Sequence, residues 1–227
     1  MAEDDMARFI DRETMEFVRV YPHPIERVWR AIIDPEEFAV WFIKGRLEPR
    51  VGGRFWFGDD GFQGEVQAIE PPRLLRLADD TAGQVFEYQL TEAGDGTRLR
   101  FLYRFPSGAF VEQPDPADGD EIAFDHGGDL PGGPGAPWRP GFLGGWHDMF
   151  DQLADLLDGV PVGSRLPETK FSAFVKKWAT AAPGLNDLTP EQKEARGRAY
   201  RSLRSRERWF ELIRRYRDHI KATIPPA

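Results

Sequence analysis

The chain has 227 residues, 41% of them hydrophobic and 30% charged, with a formal net charge of −8. No apolar run approaches the roughly 18 residues that a membrane-spanning helix needs, and the acidic start Met1–Met6 lacks the apolar core of a secretory leader. There is no cysteine, which excludes disulfides, thiolate metal sites and a cysteine nucleophile, and a cytoplasmic location is expected.

Residues 13–21 read as a first strand that Pro22 and Pro24 end. Ile25, Val28, Trp29, Ile32 and Ile33 then recur at helical spacing. Asp34-Pro35 stops this helix and starts a second short one from Glu36 to Phe42. A series of strands follows. Leu47 to Val51 leads through Gly52-Gly53 into Arg54–Phe57, and Asp59-Asp60-Gly61 signals a hairpin turn. Phe62–Ile69 is the return strand, Glu70-Pro71-Pro72 the next break, and Arg73–Leu77 a short strand. Gln84–Thr91 and Thr97–Phe105 alternate. Phe86, Tyr88 and Leu90 share one face with Leu99, Phe101, Tyr103 and Phe105, opposite Glu87, Gln89, Arg98, Arg100 and Arg104. Short turns between alternating strands predict an antiparallel sheet with one buried face.

Residues 106–141 are rich in Pro, Gly, Asp and Glu and are expected to form a long loop. Gly144-Gly145 is expected to break the chain before an amphipathic helix over 144–158, which Gly159 stops. Trp146, Met149, Phe150, Leu153, Leu156 and Leu157 share one face of it, with Asp148, Asp151, Asp155 and Asp158 on the other. Beyond a linker at 159–167, two further helices are expected, near 168–180 and from about Pro190. Thr189 and Gln192 form a capping box for the second.

Charge divides the chain at the same place. Residues 160–227 carry 15 Lys and Arg against 7 Asp and Glu, and the first 159 residues carry 15 against 31. A first domain at 1–159 and a basic helical extension at 160–227 are therefore expected. The extension should dock on its own acidic domain or on a second copy, making a homodimer through the C-terminal helices. The acidic remainder would repel phosphates, so no nucleic-acid partner is expected, and no membrane insertion.

Several motifs, in order, carry a resemblance. They are Pro24-Ile25-Glu26-Arg27-Val28-Trp29-Arg30-Ala31-Ile32, Asp34-Pro35-Glu36 with Trp41-Phe42, and Val51-Gly52-Gly53-Arg54-Phe55. Gly64-Glu65-Val66 follows, with Ile69-Glu70-Pro71-Pro72-Arg73-Leu74, then Gly94-Asp95-Gly96-Thr97-Arg98-Leu99, and finally Gly145-Trp146 with Leu153. Over roughly residues 13–159 the chain resembles the branch of the START-like (SRPBCC) superfamily named after the activator of the heat-shock-protein ATPase. The resemblance implies an α+β helix-grip fold, an antiparallel sheet wrapped around a long C-terminal helix, with the α-helical extension added. Two features depart from the family pattern: Leu77-Ala78-Asp79 stands where an aromatic is frequent, and the 106–141 loop is long.

The resemblance also implies a groove between sheet and helix. Candidate ligand-binding residues are Phe55, Phe57, Phe86, Tyr88, Phe101, Tyr103, Phe105, Trp146, Met149, Phe150 and Leu153. A solid core made of the same residues is the competing reading. Tyr88 and Tyr103 would be polar handles for a ligand hydroxyl or carbonyl, or would bond to the backbone. Of the four histidines, His147 reads as a helix-edge residue, and His126 as part of a solvated acidic loop rather than a cation site. No nucleotide loop, serine elbow or zinc histidine pair is present, so no catalytic residue, metal or cofactor is assigned. The expected function is binding of a hydrophobic small molecule, without catalysis. The alternatives are a cyclase/aromatase-like enzyme using the same pocket and a protein-interaction module or co-chaperone. Ligand, partner and pathway are not legible.

Overall fold

The computed structural model describes residues 6–11, 13–58, 62–80, 83–105 and 138–162, together with Glu211, Leu212, Arg215, Tyr216 and His219. The hairpin turn at 59–61, nearly all of the long loop, His126, and most of the C-terminal extension lie outside them.

The chain follows the alternation and the helical spacing closely. β1 (Arg8–Phe9) and β2 (Thr14–Tyr21) precede α1 (Ile25–Ile33) and α2 (Pro35–Trp41). β3 (Gly45–Leu47), β4 (Arg54–Phe57), β5 (Phe62–Glu70), β6 (Leu74–Asp79), β7 (Val85–Ala93) and β8 (Gly96–Arg104) form a meander, and α3 (Trp138–Leu157) follows. Asp34 serves both short helices. Its backbone N–H closes α1 on the Arg30 carbonyl, and its carboxylate accepts from the N–H groups of Glu36 and Glu37 at the start of α2.

The strands pair antiparallel in one sheet of order β1-β2-β8-β7-β6-β5-β4-β3. β8 returns to lie beside β2, so α1 and α2 span the distance between the two ends of the sheet. Gly64 lets β5 and β6 approach, because a Cβ there would collide with the Ala78 carbonyl and the Phe55 ring. The sheet and helices form the α+β helix-grip fold, with α3 laid across the inner face. α3 ends in a left-handed Gly159 at φ +68°. The Val160 N–H reaches the Asp155 carbonyl at 3.0 Å and the Gly159 N–H the Leu156 carbonyl at 3.1 Å, a Schellman closure. His23 then holds Asp158 at 2.6 Å, and the Thr97 hydroxyl donates to the His23 carbonyl. Among the described residues no helix is long and apolar enough to cross a membrane.

Four expectations need correction. Gly144 and Gly145 do not break the chain. α3 starts at Trp138 and runs through them, taking the last residues of the expected loop. Two interior glycines cost a helix about 1 kcal/mol each, and burial of Leu143, Trp146 and Phe150 offsets that. The strand expected at 47–51 is Gly45–Leu47. Residues 48–53 turn instead, with the Arg50 N–H on the Glu48 carbonyl and the Gly53 N–H on the Arg50 carbonyl. Asp148 and Asp155 are buried, at 9% and 2% exposure, not on a solvated face. His147 is fully buried rather than at a helix edge, since α3 is covered on more than its sheet side. The two-residue β1 is too short to leave a periodic signal.

Candidate functional site

The inner face of the sheet is a grid fixed by strand register. Met15 pairs with Tyr103, Tyr103 with Phe86, and Phe86 with Leu77. The next inward row is Phe17, Phe101, Tyr88 and Leu75. The third runs from Arg19 to Leu99 to Leu90. Each strand contributes alternate residues, so the rows stack without gaps in pattern.

α3 packs rings into this grid. Trp146 lies 4.4 Å from Phe101 between ring centroids, 6.1 Å from Phe86 and 6.2 Å from Tyr103. Phe150 touches Phe101 at 5.2 Å and Phe17 at 5.4 Å. At one end Phe55, Phe57, Phe38 and Phe42 continue the wall, and Phe42 stacks on Trp146 at 5.0 Å. At the other, Phe105 meets Tyr103 at 4.6 Å. Ten of the eleven candidate residues are therefore buried, with Leu153 beneath α3 and Met149 partly covered beside them.

The two tyrosines differ. The Tyr103 hydroxyl donates to the Gln84 side-chain carbonyl oxygen. Tyr88 is equally buried, 4.8 Å from the Phe101 ring, yet its hydroxyl has no hydrogen-bond partner among the described residues. Burial pushes both phenols far above their ordinary value, and the nearby Asp79 charge adds to the effect at Tyr103. Neither is then a useful proton donor or acceptor near neutral pH. Tyr88 remains a neutral hydroxyl aimed into an apolar wall.

A second, polar cluster closes the same face at its Arg19 end. The Arg19 side chain is 8% exposed. Its Nη2 lies 3.2 Å from His147 Nδ1, and the Tyr216 hydroxyl lies 2.9 Å from the same nitrogen. That hydroxyl also accepts from the Ala7 N–H at 2.8 Å. Burial raises the Tyr216 phenol, while the Ala7 N–H and Arg19 oppose the rise. Leu212 and Tyr216 are both completely buried, so this part of the C-terminal segment packs into the domain.

Residues 22–129 match the family model described as Activator of Hsp90 ATPase homolog 1-like protein. The match covers 108 of the 227 residues, from 22 to 129. Among solved structures, the chain is similar to CalU16 from Micromonospora echinospora, a solution structure. The two are 22% identical, with 89% of this chain and 97% of that chain covered and a TM-score of 0.48. It is also similar to protein MLL2253 from Mesorhizobium loti, at 28% identity over 64% of this chain and 97% of that one, with a TM-score of 0.46. A third is PFC0360w, an Hsp90 activator from Plasmodium falciparum, at 16% identity over 41% of this chain and 74% of that one, with a TM-score of 0.38. A search of curated proteins returned no match.

The matched segment begins just after β2 and ends before α3. Arg19, His147 and Tyr216 all lie outside it. Sequence reasoning passes over Arg19, although strict alternation along β2 puts it inward with Phe17 and Tyr21. It also passes over Phe17, Phe38, Trp41 and Phe42, which complete the aromatic wall. Nothing local announces that Tyr216 meets Ala7, 209 residues away.

Proposed function

We propose that the chain binds a hydrophobic small molecule between the sheet and α3, with Phe55, Phe57, Phe86, Tyr88, Phe101, Tyr103, Phe105, Trp146, Met149, Phe150 and Leu153 as its lining. The fold is compatible with such binding. The observation that carries the reading is Tyr88: its hydroxyl sits in an apolar wall without a hydrogen-bond partner among the described residues, and a ligand carbonyl or hydroxyl would give it one.

Pyrene and 1-acetylpyrene test the reading by fluorescence titration. Both should bind the full chain, and Phe101→Trp and Met149→Trp should each weaken both by filling the space the probe enters. Tyr88→Phe should leave pyrene unchanged and weaken 1-acetylpyrene about fivefold, the worth of one neutral hydrogen bond of about 1 kcal/mol. Failure of both probes to bind, at concentrations where their fluorescence is readable, would establish the aromatic wall as a solid core.

A further inference from the structure

Arg19 presents a buried charge on the inner face with no carboxylate paired to it among the described residues. A guanidinium stays charged at any ordinary pH, carries five N–H donors and accepts nothing. Two donors are placed: Nη1 on the Val18 carbonyl at 3.0 Å and Nη2 on His147 Nδ1 at 3.2 Å. The group also lies 5.6 Å over the Phe17 ring. All these contacts are with neutral acceptors. Because Arg19 can only donate, His147 Nδ1 must offer its lone pair, and the imidazole brings no charge of its own. Tyr216 adds a neutral phenol.

The carboxylate that reaches this cluster is Asp151, and it stands on the far side of the imidazole, 3.8 Å from Nε2. It is itself 39% exposed. Asp148 engages Gln152 at 2.9 Å. Among the described residues, the contacts of Arg19 are with the Val18 carbonyl, His147 and the Phe17 ring, and none is with a carboxylate. Arginine is almost never this buried without a paired anion, because water solvation is lost and nothing replaces it.

We infer that Arg19 receives the anionic head, a carboxylate, of an apolar ligand whose body lies along the Phe17–Phe101–Tyr88 row. This deepens the ligand-binding reading and rests on it. The planar fork matches a carboxylate in two parallel hydrogen bonds. His147 holds one edge of the guanidinium and thereby fixes the direction of its remaining donors. Tyr216 closes the site on the side of the C-terminal segment. A neutral hydrophobe would leave the charge as it stands, and an acid would complete it.

The test compares 1-pyrenebutanoate with its primary amide, which share size and apolar surface and differ in charge. The wild-type chain should bind the acid at least tenfold more tightly than the amide. Arg19→Met, which keeps the unbranched apolar stem, should abolish that preference while the amide still binds. Equal affinities in the wild type would overturn the assignment and leave ligand binding intact. A preference that survives Arg19→Met would overturn it too, by pointing to another cation. If neither compound binds, the ligand-binding reading fails and this one with it. Should Arg19→Met not fold, Arg19→Lys decides, since it keeps the charge but loses the fork. At least a threefold loss for the acid, with the amide unchanged, supports the assignment, and no loss overturns it.

Discussion

The two faces of this one sheet treat charge in opposite ways. On the outer face Glu16 is nearly inaccessible, at 4% exposure, and sits between Arg8 and Arg100, each 2.6 Å away. Arg100 continues to Gln89 at 3.1 Å, Gln89 reaches Glu87, and Glu87 meets Arg76 at 3.4 Å, so that charges alternate across five strands. On the inner face Arg19 is buried too, and among the described residues its partners are neutral. A stability-driven surface pairs its buried charges, as the outer face does. The inner-face arginine, which no described carboxylate pairs, is what motivates the proposed acidic ligand.

The comparison breaks most visibly at β8, where adjacent residues face opposite ways. Phe101 is completely buried and touches Trp146, Phe150 and Tyr88. Phe101→Ala should cost about 3–5 kcal/mol, the range for emptying a large aromatic from a packed core. Arg100→Ala, one residue away and 39% exposed, should cost about 1 kcal/mol or less, as partly solvated ion pairs do. Urea unfolding measures both. Similar losses at the two positions would mean that the faces are not energetically distinct.

The polar end of the inner face gives an intermediate effect. Tyr216→Phe removes the acceptor of the Ala7 N–H and the hydroxyl on His147 Nδ1 while keeping the ring packed against Phe17 at 6.5 Å. A buried backbone donor left unsatisfied costs about 1–3 kcal/mol. The loss should appear in global unfolding and in faster hydrogen exchange at Ala7. An unchanged Ala7 exchange rate would show that the C-terminal segment does not cap the N-terminal strands.

Much of this was legible because it is local. Alternation in β7 and β8 places Phe86, Tyr88, Phe101 and Tyr103 on one face, and the observed registers bring them together. Asp34-Pro35 punctuates α1 and α2 as a dual cap, and Gly159 closes α3. What failed was decided at long range. Gly144 and Gly145 carry a real local signal against helix, but the packing of Leu143 and Trp146 overrides it. Tyr88 and Tyr103 look alike in the sequence. They differ in that Gln84 stands beside Tyr103, while among the described residues no such acceptor stands beside Tyr88. Arg19 obeys the alternation, yet an arginine in a strand reads as an outward residue until the helix and Tyr216 are seen to cover it.

The smallest effect at neutral pH is the one whose pH dependence is most telling. Burial alone would raise the Glu16 carboxyl, but the hydrogen bonds and charges of Arg100 and Arg8 outweigh it and hold the group below its ordinary value of 4.5. Folding therefore favours the ionised form. The associated stability is fully present above the unfolded value and is lost as pH falls through the lower, folded one. Both arginines reach solvent, with side-chain exposures of 64% for Arg8 and 39% for Arg100, so screening keeps the gain modest. Glu16→Gln should cost about 1 kcal/mol at pH 7. The gap between variant and wild type should narrow as pH drops from about 4.5, because protonation does to the wild type what the substitution does to the variant. Added salt should narrow it as well. Arg19 provides the control on the inner face: with no carboxylate paired to it among the described residues, Arg19→Met should show no corresponding step in the same acid range. A step there of similar size would mean that Arg19 is balanced by an acid after all, and that the two faces handle charge alike.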